Sequence, residues 1–175
     1  MLAYIEAMIH VCSLARLHRT VEETGARHVV TLLRDIDLVV RPNGIAPEHH
    51  LILGIDDISV PVEGFTAPAQ EHVARLVTFV QEWDRMAPMV VHCYAGISRS
   101  TAGAFVAACV LNPGRDELQI AWEIRRASRA AQPNVRIVSL ADRLLGRDGR
   151  MVRAIETIGS GSGAYEGDPF RLDLK

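Results

Sequence analysis

Short hydrophobic runs recur along the chain and predict four β-strands. Hydrophobic and polar residues alternate from Ile5 to Val11, which is typical of a half-buried strand. The stretch 27–33 reads as a buried strand, and 51–55 as a third strand near the centre of a sheet. Residues 89–91 are all hydrophobic and predict a short, fully buried strand.

Helical periodicity appears between these strands. Ser13 stands where a helix N-cap is expected, and Gly25 stands where that helix would end. An amphipathic helix is predicted over about 69–86, and a helix that is hydrophobic on all sides over 100–111. Three further helices are predicted at about 116–130, 135–145 and 151–158.

Strands that alternate with helices indicate an α/β fold, with a central, mostly parallel sheet and helices on both faces. The length of 175 residues is that of one ordinary domain. We expect a single domain over 1–158. Residues 159–175 are interpreted as a Gly/Ser connector, which begins GSGSG, and a short C-terminal tail.

Composition excludes several classes of function. A net charge of −2 and an aromatic content of 5% disfavour binding to nucleic acid. No hydrophobic run reaches the ~18 residues that a membrane-spanning helix needs, so no membrane association is expected. The first ten residues do not resemble a secretory signal, and three dispersed cysteines do not form a disulfide framework. These features predict a cytoplasmic location.

The most informative stretch is HCYAGISRS, residues 92–100, between the short hydrophobic strand and the buried helix. A turn from a strand into a helix gathers backbone N–H groups around one point, and the helix dipole adds positive charge there. Gly96 allows the backbone to curl tightly at this point. The loop therefore predicts a binding site for a tetrahedral oxyanion.

Three side chains of this loop suggest phosphoryl transfer. Cys93 would lie over the ring of N–H donors, which stabilises the thiolate, the nucleophilic form of cysteine. Arg99 follows six residues later, and its planar guanidinium can hold two phosphate oxygens. Ser100 places a hydroxyl near the sulfur, where it can stabilise the departing thiolate.

The nine residues resemble the signature H-C-x-A-G-x-S-R-S of the cysteine-based protein tyrosine phosphatase superfamily, most closely its compact dual-specificity-type members. The likeness is strongest over 51–145. It implies a phosphatase that forms a phosphocysteine intermediate and uses no metal or organic cofactor. By resemblance, Cys93 is the nucleophile and Arg99 the phosphate clamp, Ser100 assists hydrolysis and His92 supports the loop. The phosphate cradle would comprise the backbone of Tyr94, Ala95, Gly96, Ile97, Ser98 and Arg99.

A general acid is needed to protonate the leaving group. In the family an Asp some thirty to forty residues before the cysteine supplies it, and Asp56 and Asp57 lie 37 and 36 residues before Cys93. We favour Asp57, because Asp56 can instead cap the strand end or orient the loop. The chain lacks a Trp-Pro-Asp motif, so the assignment depends on position alone. Glu63 and Asp84 are weaker candidates.

The substrate and two alternative functions stay open at this point. The uncharged residues 94–98 disfavour highly phosphorylated inositides and favour protein phosphotyrosine, with phosphoserine and phosphothreonine as alternatives. The expected partner is a phosphorylated protein or a small phosphomonoester. One alternative function is a non-catalytic phosphoprotein-binding module. Another is rhodanese-type sulfur transfer, which an Arg at this spacing disfavours.

Adjacent His49 and His50 would point to opposite faces of a strand, which disfavours a metal site.

Overall fold

The computed structural model describes residues 8–174 of the chain. The strands of this part are β1 (Met8–Ser13), β2 (His28–Leu32), β3 (His50–Leu53), β4 (Met89–Cys93) and β5 (Phe170–Asp173). Its α-helices are α1 (Leu17–Thr24), α2 (Gln70–Glu82), α3 (Arg99–Leu111), α4 (Glu117–Ala127), α5 (Val135–Leu144) and α6 (Arg150–Ile158). The strands form one sheet in the order β3-β2-β4-β1-β5. Strands β1 to β4 run parallel, and β5 runs antiparallel to β1.

Helices cover both faces of the sheet, as the sequence predicts. Side chains that alternate along β2 and β4 enter two separate cores. Val30 and Val91 belong to the larger core, which contains residues of α2 to α6. Val29 and Val90 belong to the smaller core, which contains residues of α1. Burial on both faces explains why these two strands are hydrophobic at almost every position.

The centre of the fold is β4 followed by α3. Strand β4 lies between β2 and β1, and all five of its residues are buried. Helix α3 is buried from Arg99 through Cys109, which agrees with its uniformly hydrophobic sequence. The turn between β4 and α3 therefore lies at the carboxyl edge of the sheet and is held by the most deeply buried elements of the molecule. Ligand sites of open parallel sheets commonly occur at this edge.

Two predictions about the early part of the chain are wrong. Strand β3 is at the edge of the sheet, not near its centre, and its burial alternates as expected for an edge strand. Ser13 ends β1 and does not cap α1; its hydroxyl donates instead to Glu166 Oε1 at 2.6 Å. Gly25 does end α1, with a φ of 67°. The part of the first predicted strand before Met8 lies outside the described residues.

Residues 159–174, which the sequence predicts as a connector and a tail, contact the rest of the domain at several positions. A Cβ added to Gly161 would lie 2.5 Å from the carbonyl oxygen of Ala130, so this glycine is in close contact with the α4–α5 connection. Strand β5 then pairs with β1 and buries Phe170 and Leu172. Paired backbone hydrogen bonds and two buried side chains hold the segment to the sheet.

None of the helices between residues 8 and 174 combines the length and the hydrophobic character that crossing a bilayer requires.

Candidate active site

The loop between β4 and α3, residues 94–98, curls tightly at Gly96. We call it the anion loop, after the oxyanion site that the sequence predicts there. This residue has a φ of 71°, and an added Cβ would lie 2.9 Å from both Cys12 C and Ser13 N. The end of β1 therefore contacts the loop backbone directly. Only glycine satisfies both the left-handed conformation and this close approach.

Carbonyl groups of the loop are hydrogen-bonded to elements around it. The bonds are Leu14 N–H to Tyr94 O (3.1 Å), Gly167 N–H to Ala95 O (2.8 Å), Gln132 N–H to Ile97 O (2.9 Å) and Asn134 N–H to Ser98 O (3.2 Å). The donors come from the end of β1, the C-terminal segment and the α4–α5 connection. Because these bonds hold the carbonyls against the surrounding protein, they fix the shape of the loop backbone.

Cys93 is at the centre of this loop. It is only 2% exposed, and its Sγ accepts a hydrogen bond from Gly96 N–H at 3.3 Å. The Oγ of Ser100 lies 3.1 Å from the same sulfur. The thiol donates to this hydroxyl, and a thiolate would accept from it. The two neighbours thus offer hydrogen-bond donors to a negatively charged sulfur.

Arg99 is a buried cation without a counter-charge among the described residues. Its Nη1 donates to the carbonyl of Ile55 at 2.9 Å, while its buried Nε has no hydrogen-bond partner in residues 8–174. No ion pair of the described residues includes it. Because an unpaired buried charge is costly, this guanidinium is suited to a bound anion.

A chain of hydrogen bonds runs behind the nucleophile. His92 Nδ1 lies 3.2 Å from the carbonyl of Cys93, and Thr31 Oγ1 lies 2.7 Å from His92 Nε2 and 2.8 Å from His50 Nε2. The carbonyl can only accept, so His92 carries its proton on Nδ1. Thr31 must then donate to His92 and accept from His50, which places the His50 proton on Nε2. The chain fixes one tautomer of each histidine.

Burial keeps both histidines neutral, which predicts acid sensitivity. Desolvation lowers the pKa of His92 to about 4 and that of His50 to about 4. In the unfolded chain each would protonate near pH 6.5. Between about pH 6.5 and 4 the unfolded state therefore binds protons that the folded state does not. We expect His92 alone to reduce the free energy of unfolding by about 3 kcal/mol on acidification from pH 7 to 4.

Urea unfolding at several pH values measures this effect. The acid-dependent loss of the free energy of unfolding should be smaller in His92→Asn than in the wild type. An identical pH slope in wild type and His92→Asn would contradict the assignment.

The two aspartates at the end of the third strand make different contacts. Asp57 is exposed, and its Oδ1 accepts from Ser98 Oγ at 2.7 Å and from Asn134 Nδ2 at 2.9 Å. Asp56 Oδ2 accepts from Thr66 N–H at 2.6 Å, and this oxygen lies 3.4 Å from Arg34 Nη1. Asp57 therefore lies against the anion loop. Asp56 instead joins the two ends of the segment 57–65 through its hydrogen bond with Thr66.

Asn134 directly precedes the helix that the sequence predicts at about 135–145. Its Oδ1 accepts from the N–H groups of Arg136 and Ile137 and so caps α5. Its Nδ2 additionally donates to Asp57 Oδ1, and the sequence reading did not anticipate this contact. The Pro-Asn pair before a helix was the available signal. Asn134 thus connects the start of α5 to the carboxylate and, through its N–H, to the loop at Ser98.

The C-terminal segment contacts the loop at a position that the sequence did not reveal. Gly167 N–H donates to Ala95 O, and a Cβ added to Gly167 would lie 2.8 Å from Gly96 O. We expect Gly167→Ala to displace the loop and lower kcat/KM about tenfold, because small misplacements of reacting groups are costly. Gly163→Ala is the matched control, since an added Cβ there meets nothing within 4 Å. Equal steady-state kinetics of an aryl phosphate in both variants would refute this role.

Other residues that the sequence singled out lie in separate surroundings. His49 stacks on His28 with ring centroids 4.1 Å apart, so the adjacent histidines diverge as expected. Within residues 8–174, no group of three or more His, Cys, Asp or Glu is placed to hold a metal ion. Glu63 is exposed. Asp84 Oδ1 accepts from the N–H of Met86, which lies before β4 and therefore at the end of the strands opposite the anion loop.

The remaining cysteines, Cys12 and Cys109, are free and buried, as expected for small core residues. Burial raises the pKa of each thiol to about 12. Neither is therefore suited to act as a thiolate near neutral pH.

Fold and loop together place the chain among the compact, dual-specificity-type members of the cysteine-based protein tyrosine phosphatases. More specifically, it belongs to the family described as "Polymorphic toxin system, DSP-PTPase phosphatase", whose model matches residues 7–115, more than half of the chain. No curated protein sequence matches the chain.

Solved structures of phosphatases share the fold. The Cydia pomonella PTP-2 phosphatase is 19% identical, with a TM-score of 0.61 over 78% of this chain and 85% of that one. Human DUSP28 is 17% identical, with a TM-score of 0.61 over 79% and 88%. PTPMT1, solved in complex with PI(5)P, is 14% identical, with a TM-score of 0.59 over 89% and 97%. At these identities the likeness establishes the fold alone.

Proposed function

We propose that this protein hydrolyses phosphomonoesters through a phosphocysteine intermediate on Cys93, with protein phosphotyrosine as the favoured substrate and phosphoserine and phosphothreonine as alternatives. The observation that carries the proposal is the buried, uncompensated guanidinium of Arg99, six residues after a buried cysteine whose Sγ accepts from the loop amide of Gly96. A phosphoryl group would supply the missing negative charge and would lie against the sulfur.

In the first step the Cys93 thiolate attacks phosphorus and the bond from phosphorus to the leaving oxygen breaks. Charge on the equatorial oxygens is stabilised by the loop amides and by Arg99. Asp57, in its protonated form, gives its proton to the leaving oxygen. The products of this step are the dephosphorylated alcohol or phenol and phosphocysteine.

In the second step a water molecule attacks the phosphocysteine. The Asp57 carboxylate takes a proton from this water, and the bond from phosphorus to sulfur breaks. Ser100 Oγ, 3.1 Å from the sulfur, donates to the thiolate as it leaves. Inorganic phosphate and the starting form of the enzyme result. The step resets Asp57 as an acid, so one carboxyl group serves both halves of the reaction.

The contacts of the two aspartates support Asp57 as the acid. Its carboxylate is exposed to an incoming substrate and lies next to Ser98 of the loop. The carboxylate of Asp56 is 15% exposed and is occupied by Thr66 N–H and Arg34. Asp56 is therefore proposed as a positioning residue that holds the base of the segment in which Asp57 lies.

Paired substitutions test this assignment. We expect Asp57→Asn to lower kcat for a phosphotyrosine peptide by about 10²- to 10⁴-fold and to affect an aryl phosphate with an acidic phenol much less. Asp56→Asn should lower both rates by a similar, smaller factor, since it loosens the loop without removing the proton donor. The comparison is kcat against the pKa of the leaving phenol. If kcat depends more steeply on the pKa of the leaving phenol in Asp56→Asn than in Asp57→Asn, then Asp56 is the general acid and Asp57 the positioning residue.

Hydrolysis of an aryl phosphate by the wild type, with a metal chelator and a reductant present, tests the function as a whole. Chelator-resistant turnover and a phosphoryl adduct on Cys93 in acid-quenched samples would support it. The alternative is a binding module that holds a phosphoprotein without turnover. Tight phosphopeptide binding by the folded protein with no hydrolysis would establish that alternative and reject the enzyme.

A further inference from the structure

Two loops near Asp57 expose an unusual share of hydrophobic surface. Of the twelve large hydrophobic residues that are exposed in the described part of the chain, six lie in these two short segments. We call these six residues the apolar rim: Ile36, Leu38, Val40, Val60, Val62 and Phe65. Val40 is 68% exposed and Val60 is 63% exposed. Such concentration on one side of a site is typical of an interaction surface.

Contacts between the two loops join them into one surface. Arg34 Cζ lies 5.7 Å from the ring centroid of Phe65, and its Nη1 lies 3.4 Å from Asp56 Oδ2. A Cβ added to Gly54 would lie 3.7 Å from Ile36 Cγ2, so the first loop also packs against the chain that leads into the second.

The apolar rim adjoins the proposed acid. Asn134 Nδ2 lies 3.3 Å from the carbonyl of Ile58 and donates to the Asp57 carboxylate, which fixes the start of the second loop beside the anion site. Val60 follows Asp57 by three residues, and an extended chain spans about 10 Å in that distance. A substrate held at the phosphate loop would therefore place its neighbouring residues over the apolar rim.

The charges of the two loops indicate which kind of hydrophobic ligand the apolar rim favours. Residues 34–41 and 56–66 together contain five carboxylates and two arginines. One of these arginines, Arg34, is ion-paired with Asp56. The excess negative charge repels anionic lipid headgroups and attracts basic side chains. A hydrophobic peptide with a basic residue fits both properties, and an anionic membrane fits only one.

We propose that the apolar rim binds the polypeptide that flanks the phosphorylated residue, and that it selects phosphoproteins with a hydrophobic side chain and a basic side chain next to the phosphate. This inference rests on the proposed function and narrows its substrate. The hydrophobic side chain would cover the rim, and the basic side chain would face the carboxylates of its two loops. The anion loop would bind the phosphate in every case.

Matched phosphotyrosine peptides test the selection. One peptide carries Leu and Arg beside the phosphotyrosine, and its partner carries Ser and Asp at the same positions. We expect kcat/KM to be about tenfold or more higher for the first peptide, the range that burial of one hydrophobic side chain supports. The double variant Leu38→Ser, Val62→Ser should weaken this preference severalfold, because only the carboxylates that select the basic side chain remain, and it should still hydrolyse a small aryl phosphate at the wild-type rate.

Met86→Ser is the matched control. Met86 is 70% exposed and lies before β4, at the end of the strands opposite the anion loop. It should keep the peptide preference. Equal kcat/KM for the two peptides in the wild type would overturn the inference. Binding to vesicles of anionic lipid that is lost in the double variant would overturn it in favour of a membrane surface.

Failure of the proposed function is distinguishable from failure of this inference. A wild type that hydrolyses neither peptide nor aryl phosphate would reject the phosphatase. The dissociation constants of the two peptides would then test whether the apolar rim selects between them. A tenfold preference for the Leu/Arg peptide that is weakened severalfold in the double variant would support the surface, and equal constants in the wild type would overturn it.

Discussion

Replacing Cys93 with serine should abolish phosphatase activity while leaving the fold intact. The serine hydroxyl is a much weaker nucleophile than a thiolate, and loss of a catalytic nucleophile lowers kcat on the order of 10⁶-fold. Cys93 is 2% exposed, and its Sγ lies near Ser100 Oγ and Gly96 N–H, which a serine oxygen can also approach. The measurement is the kcat of aryl phosphate hydrolysis beside the urea unfolding curve of each protein.

A second cysteine provides the control for this substitution. Cys109 is also buried, in the last turn of α3, and burial raises the pKa of its thiol to about 12. Cys109→Ala should therefore retain turnover near the wild-type rate. If well-folded Cys93→Ser keeps more than a trace of activity, the nucleophile is another group and the phosphocysteine mechanism is wrong.

Replacing Arg99 with lysine should lower kcat/KM on the order of 10³-fold, although the charge is retained. Lysine presents a single ammonium, so it cannot hold two phosphate oxygens in one plane. It would also have to replace the bond from Nη1 to Ile55 O, which fixes the guanidinium. We expect most of the loss in kcat, because the clamp holds oxygens whose charge develops in the transition state.

Steady-state kinetics and anion binding together measure the Arg99 effect. Inorganic phosphate or orthovanadate should raise the Tm of the wild type, because each binds only to the folded protein, and should raise that of Arg99→Lys less. Arg126→Lys, at an exposed position on α4, is the control and should match the wild type in both measurements. Equal anion stabilisation in wild type and Arg99→Lys would show that the buried guanidinium does not face the anion.

Local sequence was sufficient for the central part of the site. His92 to Ser100 form one contiguous stretch, and its strand-turn-helix setting follows from hydrophobic runs on either side. The α/β class and the helices on both faces likewise follow from short-range periodicity. Periodicity reports whether a residue is buried, and it does so without information on which strand lies beside which. For that reason β3 was placed at the centre of the sheet and proved to be an edge strand.

Contacts between distant parts of the chain could not be predicted from the sequence. The sequence favours Asp57 over Asp56 only because Asp56 can cap the strand end or orient the loop. The different partners of the two carboxylates appear only when Asn134, 77 residues from Asp57, is brought to it. The C-terminal segment gave no local sign that Gly167 reaches the loop at Ala95.

By itself, then, the sequence determined the arrangement of nine adjacent residues, from which the proposed chemistry follows, because backbone geometry within a strand and helix fixes that arrangement. The tertiary structure decided what surrounds that chemistry: the histidine chain through Thr31, the contacts of Asp57 and the apolar rim. These depend on strand order and on which loops meet at one edge of the sheet. Such pairings arise from packing of the whole chain, and no local pattern encodes them.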